Sequence, residues 1–459
     1  MPHPRGTPRE GSTTMRLRLA SPLVVAIVIG LVSVVPAAAD QPPLPDGASS
    51  EPAVSADGRW VAFVSDASNL LGGDVSADTN GVADVFLADT QTSTLRLVSK
   101  AGTVSADGPS ADVDISADGR FVVFETTATN LIPADANAAS DIVLYDAQTG
   151  ALTLVSRRGL AGAQGDADSF APTISAAGTK VAFGSRATNL VGNDTNARAD
   201  IFVRDMVTGL TTRVSTDGSG RQANNASYDA AIAPTGGHVA LSSLASNLVT
   251  GDTNGRRDVF LKTLATGKMI RVSVSNTERQ AKGDSGLEDI SADGRSVVFN
   301  SFAANLVSGD DNNQGDVFVR NRVDATTIRA SRRGTIDGND DSFGASISDD
   351  GAYVVFATRA TNLDVSTDEN GGVFDLFEFR VATRTLGRVS VDRDGGWADG
   401  KSYDSAITAD GSVIAFASLA TDLVLGEQGL ADDVFLHRWL DPARAERAVS
   451  WWSGPMSAG

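Results

Sequence analysis

The sequence has no cysteine and only 3 histidines in 459 residues. Without cysteine there is no disulfide framework, no Cys-ligated zinc or iron–sulfur centre, no Cys nucleophile and no lipid-acceptor thiol. Aromatic residues are scarce at 6%. Basic residues are outnumbered, 38 Lys+Arg against 57 Asp+Glu, for a net charge of -19. So acidic a chain lacks the basic surface that phosphate contacts need, which excludes nucleic acid as a partner. Long apolar runs are also missing. The single run, Leu23 to Val35, is shorter than the roughly 20 residues of a membrane-spanning helix. What is present is a 41% hydrophobic fraction, enough for a packed core rather than a disordered acidic chain.

The start of the chain reads as an export signal. Arg5, Arg9, Arg16 and Arg18 face the single acid Glu10, the apolar run follows, and Pro36-Ala37-Ala38-Ala39-Asp40 ends it. A basic start, a short apolar stretch and small residues before a break describe a secretory signal peptide over residues 1–39, with Met15 as a second candidate start. The mature chain is then expected to be secreted or periplasmic, with no membrane span once the signal is removed.

Residues 40–459 are one unit repeated. Ser55-Ala56-Asp57-Gly58 returns around Gly119, Gly178, Gly236, Gly294, Gly351 and Gly411, at spacings of 61, 59, 58, 58, 57 and 60. The 420 residues after position 39 divide into seven units of 60, with nothing left for another domain. Each unit carries a short strand before the turn, then an apolar strand such as Trp60–Phe63 or Phe121–Phe124. An Asn-Leu pair and an acidic loop follow, then a third strand such as Asp84–Leu87 or Asp200–Val203. A fourth strand ends in Val-Ser, as at Val98-Ser99. These runs are β-branched or aromatic and bounded by Gly, Asp and Asn. The middle strands are apolar on both sides of the pleat, as in a sheet covered on both faces. The expected fold class is all-β: a seven-bladed β-propeller of four-stranded antiparallel blades.

The order Ser-x-Asp-Gly, Val-Ala-Phe, Asp-Ile/Val-Phe-Val, Arg-Val-Ser resembles the TolB-type, WD40-like β-propeller repeat. The resemblance spans the whole of residues 40–459. It departs from TolB in blade number, since the TolB propeller has six blades. It implies a secreted or periplasmic binding scaffold and carries no catalytic residues to transfer.

Two recurring polar segments share one face of such a ring. The loops between the second and third strands read Asp-x-Asn-x-x-x-Asp: Asp78, Asn80 and Asp84; Asp135, Asn137 and Asp141; Asp194, Asn196 and Asp200; Asp252, Asn254 and Asp258; Asp310, Asn312 and Asp316. Unit six stretches the pattern to Asp368, Asn370 and Asp375, and unit seven keeps only Glu427 and Asp433. Alternating oxygen side chains in a Gly-rich loop suit a hard cation, making calcium the cofactor to expect there. The loop resembles the start of an EF-hand loop or the loops of FG-GAP propellers, without the bidentate Glu. Equally, Asp and Asn cap tight turns through their own backbone. The second segment places Ser49, Ser110, Ser169, Ser227, Ser285, Ser342 and Ser402 six residues before each turn. The Ser-Ala-Asp-Gly turn differs from a sialidase Asp-box by one residue and reads as a hairpin turn.

No catalytic constellation stands out. His238 and His437 occupy repeat positions filled by unrelated residues elsewhere, so each reads as a packing or surface residue rather than part of a Ser–His–Asp set or a zinc site. Trp451 and Trp452 are placed to pack the last strand against the first blade, and Trp397 is expected at the surface. The leading expectation is therefore a non-catalytic, monomeric binding scaffold for a protein or an envelope polysaccharide. Two alternatives stay open: a carbohydrate-active enzyme using acids in the central channel, and a calcium-stabilised cell-surface module.

Overall fold

The computed structural model describes residues 45–71, 78, 80–160, 162–424 and 431–439, with the backbone alone of 447–451. The signal segment, Glu427 and Trp452 lie outside the described residues. The chain forms seven four-stranded antiparallel sheets in which strand order follows sequence order. The first blade is Ser49–Val54, Trp60–Ser65, Asp84–Asp89 and Thr94–Leu97, and the last is Ser402–Ile407, Val413–Ser418, Asp433–Trp439 and Arg447–Trp451. There is no helix among the described residues.

The inner strand Ser49–Val54 packs beside Ser402–Ile407, and Ser49 N donates to the Asp432 carbonyl at 2.6 Å. The first and last blades therefore meet directly. The outer strand of the last blade, Arg447–Trp451, comes from the C-terminal side of the chain.

Five of the seven blades carry a cross-strand aromatic pair between their two middle strands, and in the other two Phe124 faces Val143 and Leu241 faces Phe260. Phe63 and Phe86 stack with centroids 5.7 Å apart, and Phe299 and Phe318 at 5.6 Å. All four are fully buried between neighbouring blades. Offset stacking of this kind adds about 0.5–1.5 kcal/mol beyond area burial.

The Ser-x-Asp-Gly motif builds the lower face. Ser55 Oγ donates to Asp57 Oδ1 at 2.7 Å, and Trp60 N returns to Ser55 Oγ at 2.9 Å. Gly58 closes the turn at φ +70°, where a side chain would be strained. The residue after the Ser then links the blades. Ala56 N donates to Ala117 O, Ala117 N to Ala176 O, and Ala176 N to Pro234 O, at 2.9–3.0 Å. Pro234 has no N–H, and Thr235 N continues the series to Ala292 O at 3.4 Å. The motif is thus a structural clasp that narrows the lower end of the channel. The seven Ser that begin the inner strands are equally structural: Ser49 Oγ bonds Ser65 Oγ at 3.0 Å, buried.

Candidate functional site

Above the clasp the channel opens. Six inner strands carry a bulge after their second residue in register with the second strand, as between Ser50 and Ala53 or Ala111 and Asp114, and in blade five it falls between Leu287 and Asp289. The bulge puts the third residue at positive φ in most blades, with Glu51 at 50°, Asp112 at 49°, Asp229 at 42° and Asp404 at 46°. A bulge re-aims side chains, and here it aims these into the channel. The result is a cavity of about 440 Å³ whose lining includes Glu51, Asp112, Asp114, Asp229, Glu288, Asp289 and Asp404 and no basic residue.

The acids strap neighbouring blades together. Glu51 Oε2 accepts from Asp112 N at 2.6 Å, and Asp112 Oδ2 from Ala171 N at 3.3 Å. Deeper in the channel, Asp114 accepts from its neighbour Ile115 N at 2.7 Å and from Ile174 N of the next blade at 2.8 Å. Asp289 repeats this with Ile290 N at 2.7 Å and Ile347 N at 2.9 Å. Burial raises Asp114 to about 6 and Asp289 to about 7, against those hydrogen bonds.

A raised carboxyl value means that the folded protein binds the proton more tightly than the unfolded chain. Stability from this source is complete below pH about 4 and is lost as pH rises to about 7. Unfolding free energy, measured by urea titration from pH 4 to 7, should therefore fall less in Asp289→Asn than in wild type, by about 3 kcal/mol across the window. Equal slopes would contradict the assignment.

Three positions on the upper rim break the repeat. Glu288 stands where the other inner strands have Pro52, Val113, Pro172, Ala230, Ala345 and Ser405. It accepts from Asn300 Nδ2 at 2.5 Å and from Gly344 N and Ala345 N at 3.3 and 3.2 Å, yet burial pushes it up to about 7. Asp229 lines the same cavity, accepts from Ser242 Oγ at 2.6 Å, and has Arg257 Nη1 at 3.8 Å. Asn300 and Glu125 occupy the second-strand position that is Val64, Gly184, Ser242, Ala357 or Ala417 elsewhere. Burial raises Glu125 to about 7, beside Ser140 and Asp112. It opens on a pocket with Phe170, over which Arg186 lies at 5.3 Å.

The Asp-x-Asn-x-x-x-Asp loops lie apart from this channel. Each Asn anchors its own loop: Asn196 Nδ2 donates to Asp200 Oδ2 at 3.2 Å and to Ala223 O at 3.0 Å, and Arg198 N donates back to Asn196 Oδ1 at 2.9 Å. Asn80, Asn137, Asn254 and Asn312 repeat the arrangement with Asp84, Asp141, Asp258 and Asp316. The closing Asp also takes the hydroxyl of the Val-Ser serine, as Asp200 does from Ser215 at 2.6 Å. Asp194, Asp252 and Asp310 face arginines: Arg213 at 3.1 Å, Arg271 at 3.3 Å and Arg329 at 2.9 Å. Asp135 takes the Gln164 amide at 2.7 Å.

Trp397 corrects an expectation. It is 7% exposed rather than a surface residue, in edge contact with Phe377 and beneath Arg388 at 4.1 Å. It fills the position that is Gln164, Gln222 or Gln280 in other blades, so it caps the blade core instead of a polar bond. His437 is fully buried, its Nδ1 3.0 Å from Val389 O, and His238 is half-buried with Nε2 3.2 Å from Arg322. Of Trp451 only the backbone is described, paired with Phe435.

No family model and no curated protein matches the sequence. Solved structures match over as much as 89% of its length. Oligogalacturonate lyase from Vibrio parahaemolyticus covers 87% of this chain and 92% of its own at 10% identity, with a TM-score of 0.51. A prolyl endopeptidase structure covers 88% of this chain and 49% of its own at 9% identity, with a TM-score of 0.52. TolB from Acinetobacter baumannii covers 75% of this chain and 64% of its own at 16% identity, with a TM-score of 0.39. The likeness is one of fold. It nonetheless overturns the expectation of a non-catalytic scaffold, because propellers of this form include enzymes. That expectation rested on finding no Cys, no usable His and acids that only follow the repeat. Glu288 and Glu125 do not follow it. Their signal was available in the sequence, in a column-by-column comparison of the inner and second strands.

Proposed function

We propose that this protein is a carbohydrate-cleaving enzyme, exported by residues 1–39, whose reacting carboxylates lie at the upper mouth of the channel. The observation that carries this reading is Glu288 and Asp229 on adjacent inner strands, lining one cavity in unlike surroundings. Glu288 is raised to about 7 by burial, while Asp229 has a hydroxyl and Arg257 beside it. A buried carboxyl that holds its proton, with a second carboxyl lining the same cavity, is what glycoside hydrolysis requires. Glu288 gives its proton to the glycosidic oxygen as that bond breaks. Asp229 faces the positive charge developing on the sugar carbon; water then bonds to that carbon and gives up a proton to the Glu288 carboxylate, which restores the acid. Asn300, Gly344 N and Ala345 N hold the Glu288 carboxylate that is left behind.

The test is incubation of the folded protein with a panel of neutral and acidic polysaccharides, followed by mass analysis. Fragments whose masses sum to that of the parent plus one water for each bond broken are expected. Products carrying a double bond and no added water would replace hydrolysis with elimination. No cleavage of any member would remove the proposal.

A further inference from the structure

In blades one to five the acidic loop sets two carboxylates side by side, and in four of these a donor from outside the loop faces both. In blades three to five a guanidinium from the outer strand faces both acids: Arg213 lies 3.1 Å from Asp194 and 3.5 Å from Asp200. Arg271 lies 3.3 and 3.6 Å from Asp252 and Asp258, and Arg329 lies 2.9 Å from both Asp310 and Asp316. In blade two Leu154 stands at the arginine position, and Gln164 Nε2 bridges the pair instead, at 2.7 Å from Asp135 and 2.6 Å from Asp141. The longer loop of blade six differs: Asn370 Nδ2 donates to both oxygens of Asp375, and Arg388 lies near Asp364.

Blade one has neither device. Leu97, 1% exposed, fills the arginine position, and Ser105 fills the glutamine position. Asp78 is 8% exposed and Asp84 fully buried. Asp84 is held by Asn80 Nδ2 at 2.7 Å and by Ser99 Oγ. Asp78 lies within hydrogen-bond reach of Asp84, and its Oδ1 is buried with no hydrogen-bond partner. A buried carboxylate oxygen without donor or counter-charge is costly.

We infer that blade one binds a hard divalent cation between Asp78 and Asp84, in the place that the guanidinium takes in blades three to five. The donors are carboxylate oxygens, which select calcium-like over thiolate- or imidazole-seeking ions. Two protein carboxylates leave much of the ion's six to eight positions to water, so a dissociation constant of about 10⁻⁴–10⁻³ M is expected for calcium. The inference does not depend on catalysis at the channel mouth. It narrows the calcium expectation from five loops to one.

The test is calorimetric titration of the full chain with calcium chloride at fixed ionic strength. One saturable equivalent is expected. Leu97→Arg supplies the missing guanidinium and should weaken binding at least tenfold while the protein still melts cooperatively. Asp78→Asn removes the unpartnered oxygen, should weaken binding similarly, and serves if the arginine variant does not fold. No saturable event in wild type, or an event that both folded variants leave within twofold, overturns the inference. The second outcome would assign the ion to the channel acids, and the first would leave the pair sharing a proton.

Discussion

Replacing Glu288 by Gln is expected to lower kcat on a cleaved polysaccharide by about 10²–10⁴-fold, the usual worth of a positioned proton donor. The fold should survive. The Gln carbonyl can keep the Asn300 and Gly344 bonds of Oε1, and only the bond from Ala345 N to Oε2 is lost. One unmet donor at the channel wall costs about 1–3 kcal/mol, far less than unfolding a propeller. Turnover and thermal melting measured on the same preparation separate the two effects. A variant that melts normally and keeps most of its kcat would show that Glu288 is not the donor.

Arg329→Leu is expected to cost about 3–5 kcal/mol at pH 7, because it leaves acids buried and uncompensated. Arg329 is fully buried against Asp310, Asp316 and Asp337. The substitution converts blade five to the Leu97 arrangement of blade one. With the guanidinium gone the folded protein holds protons on these acids more tightly, so the loss should shrink as pH falls towards 5. Asp310 is already raised to about 6 by burial even with Arg329 present. Urea unfolding at the two pH values measures this. A loss below about 1 kcal/mol, or one indifferent to pH, would mean that the arginine is not what keeps the pair buried.

The fold was legible because it is written seven times. Each Ser-x-Asp-Gly turn, each Phe pair and each Val-Ser end recurs in register, and the backbone clasp through Ala56, Ala117 and Ala176 explains why. Ring size followed from counting. The site was hidden by the same repetition. Glu288 and Asn300 look like noise in a column of small residues until the strands are paired, when Gly286 falls opposite Asn300. The bulge that turns Glu51 and Asp112 into the channel has no residue signature: its positive-φ position holds Glu, Asp, Ala or Gly. The arginines opposite the acidic loops were missed for a different reason. Arg213 stands 19 residues after Asp194 in sequence, and only the pairing of Phe202 with Arg213 brings it back across the blade. Trp397 misled because a tryptophan in a polar link reads as exposed, whereas the arginine above it gives its ring a partner.

The most direct measurement is the pH dependence of kcat/KM on a polysaccharide that the protein cleaves. With Glu288 as proton donor, the rate should fall above pH about 7 as that group loses its proton, and the falling limb should be absent from the residual activity of Glu288→Gln. A rate that holds steady to pH about 9, or a limb that persists unchanged in the variant, would contradict catalysis by Glu288 at the channel mouth.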